Sequence, residues 1–140
     1  MIECSQEVEI VGEVKQVIVI RKYYPDGKGG IKTLRRGKEI AQGCHASIAW
    51  LSEKVRHGSK LTKDEEAWIQ GAFTKICVCV NSEEDLLEVY QKALDAGLTA
   101  KMITDAGRTE FDGIPTRTCL AIGPNKSEEI DKVTGELKLY

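Results

Sequence analysis

Apolar and polar positions divide the chain into two kinds of segment that alternate along most of its length. Four short apolar runs, rich in β-branched residues, are typical of buried strands. Elsewhere apolar residues recur every three or four positions, which is typical of amphipathic helices. The predicted strands are residues 15–21, 73–80, 98–104 and 116–122. The predicted helices begin near residues 37, 62, 82 and 127. Their expected end signals are Gly58 after the first helix, a Thr62–Glu65 capping box at the second, Asn81 or Ser82 as the cap of the third and Ser127 as the cap of the last.

This alternation predicts the fold class. Strands and helices in alternating order favour an α/β fold whose sheet is covered by helices on both faces. The link between the last two strands, residues 105–115, is polar and has no helical pattern, so those strands are expected to run antiparallel. We therefore predict a three-layer α/β/α sandwich around a mixed, mostly parallel sheet of about four strands.

The first predicted helix has two distinct sides. Five of its apolar residues fall within about 80° on a helical wheel and are expected to pack on the sheet. They are Ile40, Cys44, Ile48, Leu51 and Val55. A polar row lies roughly 125° away on the same wheel and consists of Lys38, Gln42 and His45. Such a row is either a solvated face or part of a site, and the position of Lys38 in the anion-attracting first turn favours a site.

Length and composition indicate one domain. A chain of 140 residues, 41% of them hydrophobic, is long enough to bury its own core. We expect a single domain at residues 15–140, preceded by an acidic leader at residues 1–14 with no assigned role. No apolar run approaches the roughly 20 residues of a membrane span, so no membrane association is expected. The five cysteines are odd in number and lack zinc-site spacing, which favours a reduced, cytoplasmic compartment.

The net charge of −2 hides an uneven distribution. Residues 15–38 contain eight cations and one anion, a net +7, so the rest of the chain carries −9. Such a segment is either a solvated basic loop or a surface for phosphates. It does not match a nucleotide phosphate-binding loop, because six residues rather than four separate Gly30 from Gly37 and Glu39 replaces the magnesium-binding hydroxyl. No G-x-G-x-x-G motif follows the first strand, so dinucleotide binding is not indicated either.

A second polar group follows the third predicted strand. Asp105 comes just after the carboxyl end of that strand, where ligands commonly bind in α/β sheets, although an aspartate beside a turn is also an ordinary loop residue. Thr116 and Thr118 alternate along the next strand and therefore share a face. If that face points toward Asp105, two hydroxyls, a carboxylate and the ammonium of Lys38 surround one small volume.

Four motifs, in order along residues 15–140, carry a resemblance to a known family. They are Gly37-Lys-Glu-Ile-Ala-Gln-Gly-Cys-His-Ala46, Thr104-Asp-Ala-Gly-Arg-Thr109, Ala121-Ile-Gly-Pro124 and Ile130-Asp-Lys-Val-Thr-Gly-Glu-Leu-Lys-Leu-Tyr140. With them the chain resembles the type-2 peptidyl-tRNA hydrolase family. The resemblance implies an α/β/α sandwich that hydrolyses the ester joining a peptide, or an N-blocked amino acid, to the 3′ end of tRNA, releasing the tRNA for reuse in translation. It implies a peptidyl-tRNA substrate, no metal and no cofactor, and a homodimer is a candidate assembly.

Matching the motifs residue by residue assigns roles to particular side chains. The implied catalytic residues are Lys38, Asp105, Thr109 and Thr118. Supporting residues are Gln42, His45 and Thr116. The basic residues expected to bind tRNA are Arg21, Lys22, Lys28, Lys32, Arg35, Arg36 and Arg108. One departure concerns residues 23–36, a link that is longer and richer in glycine and cations than the family's, with Leu34 where the family has a methionine.

Ester hydrolysis needs an oriented water and donors for the developing oxyanion. In our hypothesis Asp105 orients the water, and Lys38 stabilises the oxyanion or the departing ribose oxygen. Thr109 and Thr118 make the hydrogen bonds that hold the substrate and Asp105 in place. His45 is the alternative general base, because imidazole titrates near neutral pH. Two other functions stay open: a non-catalytic RNA-binding adaptor that uses residues 15–38, and a hydrolase of another small ester or amide.

Overall fold

A computed structural model describes residues 13–140, so residues 1–12 of the expected leader, with Cys4, lie outside the described residues. The strands are β1 (Val14–Arg21), β2 (Tyr24–Pro25), β3 (Ile31–Lys32), β4 (Lys75–Val80), β5 (Ala100–Asp105), β6 (Thr116–Lys126) and β7 (Lys138–Leu139). The helices are α1 (Arg36–His57), α2 (Lys63–Gln70), α3 (Glu83–Asp95) and α4 (Ser127–Thr134). None of these helices is long and apolar enough to span a bilayer.

Five strands form the main sheet, in the order β5-β6-β1-β4-β7. The sheet is mixed, as predicted, but the expectation of about four mostly parallel strands is wrong. Among the described strands, β1 and β4 form the one parallel pair, whereas β6 is antiparallel to both of its neighbours and β7 to β4. The antiparallel pairing of β5 with β6 was predicted from the helix-free link, but β6 then lies between β5 and β1 and is antiparallel to both, which local pattern does not indicate. The two-residue β7 is too short to produce an alternating pattern in the sequence.

Helices cover both faces of this sheet, which confirms the predicted sandwich. Along β1, Val17 and Val19 join the larger core beneath α3 and α4. Ile18 and Ile20 point to the opposite face and join a smaller core with Ala46 of α1. The alternation along β1 thus supplies both cores, because successive side chains of a strand point to opposite faces.

The apolar stripe predicted on α1 does not face the sheet, which corrects our expectation. Ile40, Ile48 and Val55 are 62%, 56% and 73% exposed, and Cys44 is also exposed. The residues that α1 buries are Gln42, Gly43, Ala46 and Trp50. Small side chains at two of these positions let the helix lie close to the sheet over Ile18 and Ile20. The wheel identified an apolar side correctly and assigned it to the wrong environment.

The helix ends follow the sequence signals closely. Gly58 ends α1 in the left-handed conformation with φ of 63°. Thr62 and Glu65 form the expected capping box at the start of α2, and Ser82 caps α3. Ser127 was expected to cap the last helix but is its first residue, because Lys126 takes the N-cap position.

The glycine-rich link before α1 contains a hairpin, which the sequence analysis treated as irregular loop. Strands β2 and β3 pair as Tyr24 with Lys32 and Pro25 with Ile31. At the tip, the Asp26 carboxylate accepts hydrogen bonds from the backbone N–H groups of residues 28 and 30 at 2.7 and 2.9 Å. These bonds lower the pKa of Asp26 from its ordinary value. The hairpin projects from the carboxyl end of β1 toward the loop at residues 106–115.

Candidate active site

Lys38 lies in the first turn of α1, at the carboxyl end of β1. The N-cap residue, Arg35, makes no side-chain capping bond, and the first backbone bond of the helix runs from Glu39 N–H to Arg35 C=O. Earlier N–H groups in the turn therefore have no intrahelical acceptor. Together with the helix dipole they give this end of α1 a positive potential beside the Lys38 ammonium.

The fold brings Lys38 to two residues of the distant Asp105 segment. Its Nζ lies 3.4 Å from Oδ1 of Asp105 and 3.4 Å from Oγ1 of Thr109. The side chains of Lys38 and Asp105 are 20% and 12% exposed, so the ion pair is shielded but reachable from solvent. Three of the four predicted catalytic side chains thus share one small volume.

Asp105 ends β5, and the chain turns sharply two residues later. Gly107 has φ of +84°, and a Cβ there would lie 2.2 Å from the carbonyl oxygen of Ile114. Only glycine fits this crossing, which returns the chain toward β6. The other carboxylate oxygen of Asp105, Oδ2, is buried and has no donor within residues 13–140. A carboxylate oxygen in this state is a strong acceptor for a water or substrate hydroxyl.

Gln42 and Thr118 form a buried pair on the sheet-facing side of α1. The Thr118 hydroxyl donates to Oε1 of Gln42 at 2.9 Å, and the two residues are 1% and 5% exposed. Oε1 is therefore engaged, and the amide Nε2 of Gln42, one turn from Lys38, is a donor with no acceptor in the described chain. Thr118 itself is too buried to hold a substrate directly, which changes the role that the sequence hypothesis gave it.

Cys119, the neighbour of Thr118, is not a nucleophile. Its thiol donates to the carbonyl oxygen of Gln42 at 3.2 Å. Burial is the main cause that raises the pKa of Cys119 to about 12, so the group stays a neutral thiol at physiological pH.

The remaining supporting residues differ in their placement. Thr116 lies opposite Asp105 in the β5–β6 ladder, but its hydroxyl donates to the carbonyl oxygen of Ile114 at 2.7 Å. His45 is exposed, and its side chain has no hydrogen-bond partner within residues 13–140. Although it belongs to the predicted polar row of α1, it lies outside the contacts that join Lys38, Asp105 and Thr109.

The seven predicted tRNA-binding cations divide into two groups. Lys28, Arg36 and Arg108 are exposed, and the partly exposed Lys22 lies 5.1 Å from the ring centre of Tyr23. The other three cations already bind protein groups. Arg21 is 6% exposed and donates to the carbonyl oxygens of residues 23 and 117 at 2.9 and 3.1 Å. Lys32 and Arg35 bind Glu110.

Glu110 is a residue that the sequence analysis missed. Its carboxylate Oε1 lies 2.8 Å from Nε of Arg35, and its main-chain oxygen accepts a hydrogen bond from Nζ of Lys32. Glu110 stands in a polar loop, more than 70 positions from either partner, and no local pattern marks it. The motif next to it, ending at Thr109, was the nearest signal.

The donor set at the site is a mixture of ammonium, carboxylate, hydroxyl and amide groups. Within residues 13–140, no three His, Cys, Asp or Glu side chains are grouped so that they could share a metal ion. The arrangement suits polarisation of a carbonyl and orientation of water, since it combines one cation, one carboxylate and neutral donors.

Comparison with known proteins identifies the family. The family model described as Peptidyl-tRNA hydrolase PTH2 matches residues 14–140. The peptidyl-tRNA hydrolase of Methanothermobacter thermautotrophicus is 41% identical over 126 residues, covering 90% of this chain and 99% of the relative. That of Methanocaldococcus jannaschii is 42% identical with the same coverage, and the probable peptidyl-tRNA hydrolase 2 of Dictyostelium discoideum is 33% identical over 94% of this chain and 57% of its own length. The chain therefore belongs to the type-2 peptidyl-tRNA hydrolase family.

Proposed function

We propose that the chain hydrolyses the ester bond between a peptide, or an N-blocked amino acid, and the 3′ end of tRNA. The observation that supports it most directly is the meeting of Lys38, Asp105 and Thr109 at the uncapped start of α1. Relatives that match nearly the whole chain carry the name peptidyl-tRNA hydrolase. Family membership favours this function over a non-catalytic RNA-binding adaptor.

Asp105 directs the attacking water in this proposal. Water adds to the ester carbonyl carbon while Asp105 accepts a hydrogen bond from it and then takes its proton. The Asp105 side chain is 12% exposed, and because Oδ2 is buried the water approaches the carboxylate from the side that faces the Lys38 ammonium. The bond between the carbonyl carbon and the ribose oxygen then breaks, and the ribose oxygen takes up the proton that Asp105 had accepted from the water. The products are a peptide acid and tRNA with a free 3′ end, and Asp105 is a carboxylate again.

Lys38 stabilises the negative charge that develops on the carbonyl oxygen. The amide Nε2 of Gln42 is a second donor for the same oxygen, since Thr118 holds Oε1 and thereby fixes the orientation of the amide. Thr109 contacts the Lys38 ammonium and keeps it directed toward the reaction centre. Donors fixed in advance around an oxyanion commonly contribute about 10²- to 10³-fold to the rate.

The tRNA phosphates lie, in this proposal, along the exposed cations beside the start of α1. These are Lys22, Lys28, Arg36 and Arg108. Arg21 is left out because its guanidinium is buried against backbone carbonyls, and Lys32 and Arg35 contribute less because Glu110 engages them. Binding and chemistry then share one face of a single domain at residues 15–140. We further propose that the reaction needs no metal or cofactor and that the protein acts in the cytoplasm.

An assay with N-acetylated aminoacyl-tRNA tests the function. Chelator-treated protein, freed of the chelator before use, should release the N-acetylated amino acid with multiple turnovers, and kcat/KM should fall steeply with added salt because phosphate contacts release counterions. Binding without cleavage would indicate the adaptor. Cleavage that depends neither on the tRNA portion nor on salt would indicate a hydrolase of other small esters or amides.

The homodimer is a further part of this proposal, and the exposed side of α1 is its interface. Residues 40–52 contain no Asp, Glu, Lys or Arg, although most of one side of this stretch faces solvent. The exposed apolar side chains of this stretch form a ridge that borders a groove of about 360 Å³. The groove is lined by Ile18, Ile20 and Cys77, by Ile40 and Cys44 of the ridge, and by the charged Arg36, Glu39 and Lys75. A solvated helix normally carries charges on its outer side, so this combination indicates a contact surface.

The occupant that fits is a second copy of the chain. Ridge and groove lie side by side on one molecule, so a twofold axis places each ridge in the other molecule's groove. The uncharged stretch at residues 40–52 is about 20 Å long as a helix, and this is the length of ridge that a second copy would cover.

A further inference from the structure

The loop between β5 and β6 carries Thr109 and is held from outside by the β2–β3 hairpin. We propose that this hairpin, together with Arg35 at the start of α1, positions Thr109 against Lys38, and that Glu110 is the positioning residue through which they act. The inference rests on the proposed ester hydrolysis. It concerns the lengthened link at residues 23–36, which the catalytic assignment does not otherwise use.

The loop at residues 106–115 does not fix its own position relative to α1. Its internal bonds, from Gly113 N–H to Gly107 C=O and from Ile114 N–H to Phe111 C=O, are both 2.8 Å and make it a compact turn. They connect the loop only to itself. The β5–β6 ladder fixes its two ends at Asp105 and Thr116. The contact between Thr109 and Lys38 therefore needs a further support.

An apolar cluster supplies part of that support. Tyr24 and Leu34, on either side of the hairpin tip, enclose Phe111 of the loop in a cluster separate from both cores of the sheet. The rings of Tyr24 and Phe111 have centres 4.9 Å apart. The Tyr24 hydroxyl lies 3.3 and 3.4 Å from carbonyl oxygens of Arg21 and Thr118, so the ring is anchored to two sheet strands. Burial raises the pKa of Tyr24 far above its ordinary value, which keeps the hydroxyl a donor.

Glu110, which directly follows Thr109, makes the polar contacts that support the loop. Lys32 of β3 donates to its main-chain oxygen, while Arg35 binds its carboxylate with Nε and Oε1 2.8 Å apart. The Glu110 side chain is 18% exposed and that of Arg35 is 77% exposed, so the carboxylate is largely shielded while its partner lies at the surface. Backbone and side chain of one loop residue are thus held by two cations that lie three positions apart in the chain.

The same contact joins the loop to the helix end that carries Lys38. Arg35 is the N-cap of α1, and Lys38 follows in the first turn. Glu110 therefore sets the distance between the Thr109 hydroxyl and the Lys38 ammonium, although it contacts neither. Displacing a catalytic group by about 1 Å can cost up to 10²-fold in rate, so loss of this contact should lower kcat. KM should not rise, because Glu110 binds no phosphate and its removal frees the Arg35 guanidinium that it otherwise engages.

The test is steady-state hydrolysis of N-acetylated aminoacyl-tRNA by full-length variants. For Glu110→Ala we expect kcat to fall about tenfold and KM to rise less than twofold, since the loop loses its ion pair with Arg35 while its main-chain oxygen keeps the bond from Lys32. Glu110→Gln keeps an oxygen acceptor for Arg35 and should retain at least half of the wild-type kcat. The variant Thr109→Ala combined with Glu110→Ala should be no slower than Thr109→Ala alone, because Glu110 acts through Thr109. Glu128→Ala removes the same charge from the exposed first turn of α4 and should equal the wild type.

Three results would overturn the proposal: wild-type kcat for Glu110→Ala, an effect on KM alone, or additive losses in the double variant. If Glu110→Ala does not fold, Lys32→Met replaces it, because methionine preserves most of the apolar stem beside Phe111 and removes the donor to Glu110. A positioning role predicts a lower kcat for Lys32→Met, whereas a lost phosphate contact predicts a higher KM and a weaker salt dependence. Failure of the proposed function is distinguishable from failure of the positioning role, since the wild type itself would then release no product.

Discussion

The two sides of α1 differ in a way that reverses the usual arrangement of an amphipathic helix. The side toward the sheet buries an amide, a glycine, an alanine and one tryptophan. The side toward solvent carries Ile40, Cys44, Ile48 and Val55. Because Gln42 is hydrogen-bonded to Thr118, the polar group on the inner side is stabilised despite its burial.

This difference indicates that the two sides serve different purposes. The inner side holds donors at fixed positions next to Asp105, which a purely apolar face could not do. The outer side keeps an uncharged surface that a solvated helix would not need. We therefore assign catalysis to the inner side and association to the outer side, and the following substitutions test that division.

The largest expected effect is at the start of the inner side. Lys38→Ala removes the cation that faces the reacting carbonyl, and we expect kcat/KM to fall at least 10²-fold. Asp105→Asn should have an effect of similar size, since the amide cannot accept the water's proton. Hydrolysis of N-acetylated aminoacyl-tRNA measures both, with circular dichroism as the control for folding. Near-normal rates for both variants would refute the catalytic assignment.

His45 provides the contrasting case on the same helix. It is exposed, and no hydrogen bond connects it to the described residues of the site. If His45→Ala abolished activity without loss of structure while Asp105→Asn did not, the role of general base would pass to the histidine.

A smaller effect is expected from the buried pair. Gln42→Ala removes one oxyanion donor and leaves the Thr118 hydroxyl without its acceptor, so we expect about a tenfold to 10²-fold loss of kcat/KM. Thr118→Val leaves Oε1 of Gln42 unpaired, which should cost about 1–3 kcal/mol in the free energy of unfolding. Urea denaturation measures the second quantity and steady-state kinetics the first. A Thr118→Val protein with unchanged stability and unchanged rate would show that the pair does not matter to either.

The sequence predicted elements better than environments. Helix ends were accurate at Gly58, Thr62 and Ser82 because capping depends on a few neighbouring residues. The direction of strand pairing and the orientation of α1 depend on distant segments, and local pattern contains little of that information. A helical wheel measures how apolar residues are grouped, and it cannot tell a protein core from a surface that contacts another molecule.

The site was predicted in the same uneven way. Lys38, Asp105 and Thr109 were found through motifs, and the structure brings them together from positions about 70 residues apart. The burial of Thr118 and Arg21 could not be foreseen, because a threonine or arginine near the end of a strand gives the same sequence pattern whether neighbouring segments bury it or leave it exposed to solvent. No local sequence pattern marked Glu110, since its partners, Lys32 and Arg35, lie more than 70 positions away in the chain.

The smallest effect on catalysis is expected on the outer side of α1, together with a clear effect on assembly. Ile48→Glu places a charge at the middle of the proposed dimer interface, and burying an unpaired charge is strongly unfavourable. We expect sedimentation or light scattering to show a dimer for the wild type and a monomer for Ile48→Glu, with kcat per chain within twofold. The matched control is Leu94→Glu, because Leu94 is 42% exposed on α3 in the opposite layer and should leave the dimer intact. A monomeric wild type would refute the second-copy interface. If Ile48→Glu remains a dimer, the dimer contact lies elsewhere and the outer side of α1 is not the interface.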